Sequence, residues 1–261
     1  MDKQIKILTY DIETAPKLAN VWDIWNQNIP ISMIMEDGYI LSWAAKWLGS
    51  DEILSNSLIE HDNKIENEGK MVEELYDLME EADVLVGYNS DKFDRKHVNT
   101  AFLKAGLTPP STSKSIDLFK VVKSNFKFTS NKLDFVLGKL GIKQKMNHRG
   151  FDLWKGCMEG DMECWAEMVE YNEQDVEVTE LLYKKLLPWI KNHPCRSMYT
   201  DTINIKPSCN NCGSPDVIKK GIEVLKFTSY QRYKCTNCGN NMRGKELQNS
   251  ADKRKSILVN V

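Results

Sequence analysis

The chain has no apolar run of about 18 residues, which excludes a membrane-spanning helix. Its opening residues, Met1-Asp2-Lys3-Gln4-Ile5-Lys6, lead straight into strand-like sequence without the apolar stretch of a secretory leader. A cytoplasmic location and no membrane partner are therefore expected. There is no internal repeat and no low-complexity tract, so a solenoid or a disordered tail is not the organising principle. Histidine is scarce, and His61, His97 and His193 show no metal-ligand spacing. No complete disulfide set is present either: the seven cysteines are odd in number, and without a leader they read as metal ligands. What remains is the composition of a globular protein, 41% hydrophobic and 28% charged over 261 residues. That length suits one α/β domain of roughly 190 residues and a small appendage.

The formal charge of −2 conceals an asymmetry. Residues 191–261 carry 13 Lys and Arg against 5 Asp and Glu, whereas residues 1–190 carry 22 against 32. An acidic body with a basic appendage points to an anionic partner for the appendage, or to two differently solvated surfaces.

The most informative stretch is Lys6-Ile7-Leu8-Thr9-Tyr10-Asp11-Ile12-Glu13-Thr14. Residues 6–10 read as a buried strand with two carboxylates at its end. Side chains at i and i+2 share a face, so Asp11 and Glu13 project together. Two like charges that close repel, and both lose water on burial. A divalent cation, magnesium by preference for oxygen donors, relieves both costs.

Along the chain, residues 18–37 contain Trp22 and Trp25 in no regular pattern; a flap and a core-packed loop are both open, with core packing preferred. Residues 38–48 and 52–59 read as strands, giving an antiparallel meander with the first. A helix is expected over 67–81, a buried strand over 83–89, and a helix over 93–105. Residues 115–119 form a short strand or a helix entry. Helices follow over 132–140, stopped by Gly141, and from about 161 to 190. The stretch 142–152 is basic and polar, with Lys143, Lys145, His148 and Arg149. The fold class is α/β, a mixed sheet with flanking helices. The expected domains are residues 1–190, a linker 191–206, a cysteine module 207–245 and a basic tail 246–261.

Two further acids join the first pair. Asp94 ends Asn89-Ser90-Asp91-Lys92-Phe93-Asp94 at a strand-to-helix junction, where an Asp also makes an ordinary helix cap. Asp175 lies four residues after Tyr171, on one helix face. The combination of D-x-E, N-x-x-x-F-D and Y-x-x-x-D resembles the DEDD exonuclease superfamily. These are proofreading-type 3′–5′ exonucleases of the ribonuclease H-like fold, and the tyrosine marks the DEDDy subgroup. Ser115-Ile116-Asp117-Leu118 and the run Lys132 to Gly141 also resemble the exonuclease domains of family B DNA polymerases. The resemblance implies a five-stranded mixed sheet and two Mg²⁺ or Mn²⁺ ions that activate water and stabilise the leaving 3′-oxygen. It makes Asp11 the shared ligand, with Glu13 and Asp175 on the nucleophile-side ion and Asp94 on the other. Tyr171 would orient the attacking water, since a phenol is a poor base at neutral pH. Thr14 would approach the terminal sugar, and Asn89, Phe93, Lys143 and Lys145 are candidate substrate contacts. Phe93 is expected to pack in the core in preference to a nucleotide. Asp117 orients a ligand or is an ordinary strand-end residue, the second being preferred.

Cys209-Asn210-Asn211-Cys212-Gly213 and Cys235-Thr236-Asn237-Cys238-Gly239 have the spacing of two zinc knuckles, one structural Zn²⁺ on four thiolates. Residues 217–221 and 231–234 read as strands of a small ribbon. The region resembles the zinc ribbons of insertion-sequence transposases. Lys226-Phe227, Tyr230 and Arg232-Tyr233-Lys234 alternate rings with cations, which suits a nucleic-acid strand at Arg232 and its neighbours. Docking on a polymerase or another processing protein is the alternative.

These features together lead to a metal-dependent 3′–5′ exonuclease on single-stranded DNA ends. RNA 3′-end processing and a catalytically silent nucleic-acid-binding adaptor are the alternatives. No polymerase-length region follows, so action in trans is expected.

Overall fold

The computed structural model describes residues 4–25, 28–111, 113–142, 149–199 and 206–259. Lys143, Lys145 and His148 lie outside the described residues. Two compact units are present, Lys6–Tyr183 and Met1–Ile5 with Lys184–Val261.

In the larger unit β1 (Ile7–Thr14) runs further than expected, so Asp11 and Glu13 sit within the strand and not beyond its end. The short strands β2 (Leu18–Ala19) and β3 (Ile34–Glu36) then pair antiparallel. Next come β4 (Ile40–Trp47), β5 (Leu54–Ser57), helix α1 (Glu68–Glu81), β6 (Val84–Gly87) and α2 (Asp94–Lys104). They are followed by β7 (Lys114–Asp117), α3 (Leu118–Asn125), α4 (Leu133–Leu140), α5 (Phe151–Glu159) and α6 (Met162–Leu186). Among the described residues the main sheet has the order β5-β4-β1-β6-β7. β1 and β4 are antiparallel, as are β4 and β5, while β6 joins β1 in parallel and β7 joins β6 in parallel. The mixed five-stranded α/β sheet expected from the sequence is therefore present, with β1 at its centre.

Leu8, Tyr10 and Ile12 of β1 enter a core shared with Leu41 and Trp43 of β4, Leu75 of α1, Phe102 of α2 and Trp165 of α6. Alternation then sends Asp11 and Glu13 to the opposite face, where both are half-buried. Trp43 donates its indole N–H to the Met71 carbonyl at 2.8 Å, satisfying the polar end of a fully buried ring. Lys46 of β4 meets Glu180 of α6 at 2.9 Å with both side chains largely buried, which pins α6 across the sheet.

The stretch 115–119 holds both of its expected alternatives, the end of β7 and the entry of α3, whereas α5 was not anticipated. α3 begins on a cap, because the Asp117 side chain accepts from Phe119 N–H. α5 was obscured by the polar run before it. The stretch 18–37 is corrected: Trp22, Ile24, Trp25, Ile31 and Met35 are exposed, so it is not a core-packed loop. β2 and β3 bond to each other instead of joining the main sheet, which leaves these side chains without a core to enter.

In the smaller unit, β8 (Val217–Val224), β9 (Ser229–Cys235) and β10 (Asn241–Leu247) form an antiparallel sheet in the order β10-β9-β8. A short helix α7 (Ala251–Lys255) follows, capped by Ser250. The third strand and this helix were not read from the sequence. Asn211 donates to the carbonyls of Leu187 and Ile190 at 2.7 and 3.0 Å, tying the first cysteine loop to the chain after α6. No helix among the described residues is long and apolar enough to cross a membrane.

Gly87 ends β6 where the chain must turn toward Asp94. A methyl group there would lie 2.6 Å from Ser90 Cβ and 3.3 Å from the Tyr10 carbonyl. Gly87→Ala is expected to destabilise the chain by about 1–3 kcal/mol through overpacking. Urea denaturation checks this, and removing the clash in Gly87→Ala/Ser90→Gly should recover much of the loss.

Candidate active site

Asp11 and Glu13 come from the central strand and Asp175 from α6, more than 160 positions away. One carboxylate oxygen from each lies within 4.8 Å of the others. The fold thus brings together three of the four predicted acids. The register between β1 and β4 shifts between Glu13 and Thr14, a bulge of the kind that re-aims side chains at a strand end. Thr14 closes β1 and is half-buried.

Asp94 stands outside that cluster but is coupled to it. It is the first residue of α2 and 3% exposed, with Phe93, not Asp94, in the cap position. Parallel pairing of β1 with β6 stops at Thr9↔Val86. Further along β1, the Ile12 N–H donates to Asp94 Oδ1 at 3.3 Å. The carboxyl therefore reaches the backbone between Asp11 and Glu13. Burial pushes it up to about 7, opposed by the N–H groups it accepts from and reinforced by the charges of Asp117 and Asp175.

The sequence reading missed the group that fixes Asp11. Asn172, 1% exposed, donates from Nδ2 to Asp11 Oδ2 at 2.9 Å. Its Oδ1 accepts from the Ser42 hydroxyl at 3.1 Å. Ser42, fully buried on β4 opposite Glu13, thereby sets the amide so that its NH₂ faces Asp11. A signal was present: Asn172 lies three residues before Asp175 on one helix face, and Ser42 interrupts an apolar strand.

The remaining candidates separate clearly. Tyr171 is 7% exposed and packs edge-on against Trp154 of α5, with ring centroids 6.2 Å apart. Asn89 adopts a left-handed conformation at φ 62°, which Asn tolerates better than most residues. Its N–H donates to Asp117 Oδ1 at 2.9 Å, and the same oxygen accepts from Phe119 at 3.0 Å. Asp117 thus caps α3 and holds the turn that delivers Asp94. Burial pushes its carboxyl upward too. Phe93 is corrected: it is 40% exposed and lies over His97 at 4.6 Å, because the cap position turns it away from the core. Arg149 is ion-paired with Glu167 at 2.7 Å and Glu163 at 3.7 Å, so it is not an uncommitted cation of a basic loop.

Residues 45–187 match the sequence profile of the RNase_H superfamily. The chain belongs to the RNase_H superfamily. The matched span covers α6 with Asp175 but begins after β1, so it does not include Asp11 and Glu13. The chain is also similar in fold to a family B DNA polymerase from the hyperthermophilic archaeon Pyrobaculum calidifontis. The two align with a TM-score of 0.52 at 16% identity, over 85% of this chain and 31% of the polymerase chain. The chain therefore spans about a third of that polymerase's length. No curated protein matches it.

A second cluster lies beyond the RNase_H match. Cys209, Cys212, Cys235 and Cys238 place their sulfurs within 4.8 Å of one another. The Cys209–Cys238 and Cys212–Cys235 sulfurs are 3.6 Å apart in each pair. Each knuckle turns on a glycine with positive φ, Gly213 at 76° and Gly239 at 84°. Gly213 N–H returns to the Cys209 carbonyl and Gly239 N–H to that of Cys235, at 2.8 and 3.1 Å. Arg232 is exposed on β9.

Asp94 binds protons more tightly in the folded chain than its ordinary value of 3.8 allows. The folded form then holds more protons than the unfolded form, so without divalent cations stability should fall as pH rises from 3.8 through about 7. Asp94→Asn should flatten that dependence. Chemical denaturation across this pH range provides the check.

Proposed function

We propose that the chain is a metal-dependent 3′–5′ exonuclease of the DEDDy type, acting on single-stranded nucleic acid with DNA as the preferred substrate. The observation that carries this reading is the convergence of Asp11, Glu13 and Asp175, with ligand oxygens within 4.8 Å. Three carboxylates so close are unfavourable without a cation, and an all-oxygen donor set suits Mg²⁺ or Mn²⁺. Two such ions would activate a water and stabilise the departing 3′-oxygen. Asp11 would be the shared ligand, Glu13 and Asp175 would serve the nucleophile-side ion, and Asp94 would serve the other. Asn172 acts as a positioning residue: by donating to Asp11 Oδ2 it fixes the orientation of that carboxylate. Tyr171 shares a helix face with Asp175 and holds the attacking water by a hydrogen bond. Likeness in fold to a family B DNA polymerase fits trimming of 3′ ends beside a polymerase.

The four cysteines hold one structural Zn²⁺. A tetrahedron of Zn–S bonds of about 2.3 Å sets its sulfurs about 3.8 Å apart, close to the 3.6 Å of the Cys209–Cys238 and Cys212–Cys235 pairs. Side-chain N–H groups of Asn240 and Asn237 approach Cys209 and Cys212 at 3.9 and 3.7 Å, as suits charged sulfur.

Digestion of end-labelled single strands tests the first claim. With Mg²⁺ the 5′-labelled strand should shorten stepwise from its 3′ end. Asp11→Ala should abolish this, and Tyr171→Phe should slow it by about 10²-fold or more. A wild-type chain that cuts nothing with any divalent metal would favour a binding-only adaptor. For the second claim, a strong zinc chelator should release one equivalent of zinc and melt the strand signal of residues 206–259, leaving the larger unit folded. Circular dichroism with a zinc-sensitive dye reads both.

A further inference from the structure

The C-terminal sheet offers two unlike faces. Gln231, Tyr233 and Cys235 alternate along β9 onto the face that carries the cysteine cluster, and Tyr230, Arg232 and Lys234 onto the other. Register places Arg243 and Asn241 of β10 opposite Arg232 and Lys234, so they share this second face. Glu223 of β8 lies opposite Tyr230 on the same side. Arg232 and Arg243 are thus a directly opposed cross-strand pair of like charge, an arrangement that costs stability unless an anion joins it. Arg243 is accounted for: its Nε meets Glu223 at 3.2 Å and its guanidinium lies 4.1 Å over the Tyr230 ring. Arg232, Lys234 and Lys220 have no carboxylate partner among the described residues. Those three cations line a groove of about 370 Å³ with Tyr233, Asn241 and Met242, and no acid lines it.

We propose that this face of β9 is a binding surface for single-stranded nucleic acid, separate from the carboxylate site. The cations form a row, not a cage: Arg232 and Lys234 are two residues apart, about 6.6 Å along the strand. A row suits a chain of phosphates better than one small anion. Next to it, the guanidinium of Arg243 is held flat on Tyr230 and presents its outer plane, a surface on which an unpaired base stacks. An acidic protein segment would satisfy the cations but would leave that stacking plane unused, so the nucleic acid is the better fit. The proposal stands apart from the hydrolytic reading, because binding here needs neither Asp11 nor a divalent cation.

The test uses the full chain in an Asp11→Asn background, with fluorescence anisotropy of a labelled oligothymidylate over a range of salt. Arg232→Glu/Lys234→Glu is expected to weaken binding at least tenfold. The slope of log affinity against log salt should become shallower by about 1.4, the share of two cations on a single strand. The milder Arg232→Gln/Lys234→Gln should move both quantities in the same direction with an unchanged melting temperature, which separates the effect from misfolding. An abasic strand of equal charge should bind about fivefold or more weakly, reflecting the lost stacking. Wild-type affinity and salt slope in both double variants would overturn the proposal and leave the face to a protein partner.

Discussion

Three carboxylates forced together on the far side of a central strand impose the condition that the larger unit must meet. Asp11, Glu13 and Asp175 repel one another, and each loses hydration as α6 closes over the sheet. The structure meets the condition with fixed dipoles. Asn172 spends its NH₂ on one oxygen of Asp11 and is itself aimed by Ser42. Asp94 uses the Ile12 N–H that β6, ending at Gly87, does not reach. The Lys46–Glu180 pair holds α6 against β4, so that Asn172 and Asp175 arrive together. These contacts orient the acids on one side of the strand, where ligand oxygens of Asp11, Glu13 and Asp175 converge.

The second unit solves a different problem by the same means. Its strands contribute few buried apolar side chains; along β8 and β10 nearly every residue is exposed or half-buried. A sheet of that kind has little hydrophobic burial to offset its conformational entropy. Four sulfurs brought within 4.8 Å form a cluster at which a bound metal would supply that missing stability. In both units a cluster of like ligands is unfavourable alone, and the proposed cation is what would relieve it.

Much of this was legible from residue pattern. Period-two alternation predicted that Asp11 and Glu13 share a face, and the two Cys pairs announced their cluster. The order of strands followed from short turns and from apolar runs such as Val84–Gly87. What was hidden depended on contacts remote in sequence. Local pattern marks Ser42 and Asn172 singly, but not that the two, 130 positions apart, meet in one relay to Asp11. Phe93 reads as core by its chemistry, yet the backbone at the start of α2 turns it over His97. Trp22 and Trp25 read as core for the same reason, but β2 and β3 pair only with each other. The extent of helix α3 was not legible, but its start is explained by Asp117, whose two backbone bonds link the cap of one helix to the turn before another.

The central claim is that the carboxylate cluster of the larger unit holds divalent cations. Titration of the metal-free chain with Mn²⁺, followed by electron paramagnetic resonance, measures this without reference to any substrate. The wild-type chain should bind two Mn²⁺, and Asp175→Asn should lose at least one of them while keeping the fold. A wild-type chain that takes up no Mn²⁺, or a variant that binds it as well as wild type, would contradict the claim.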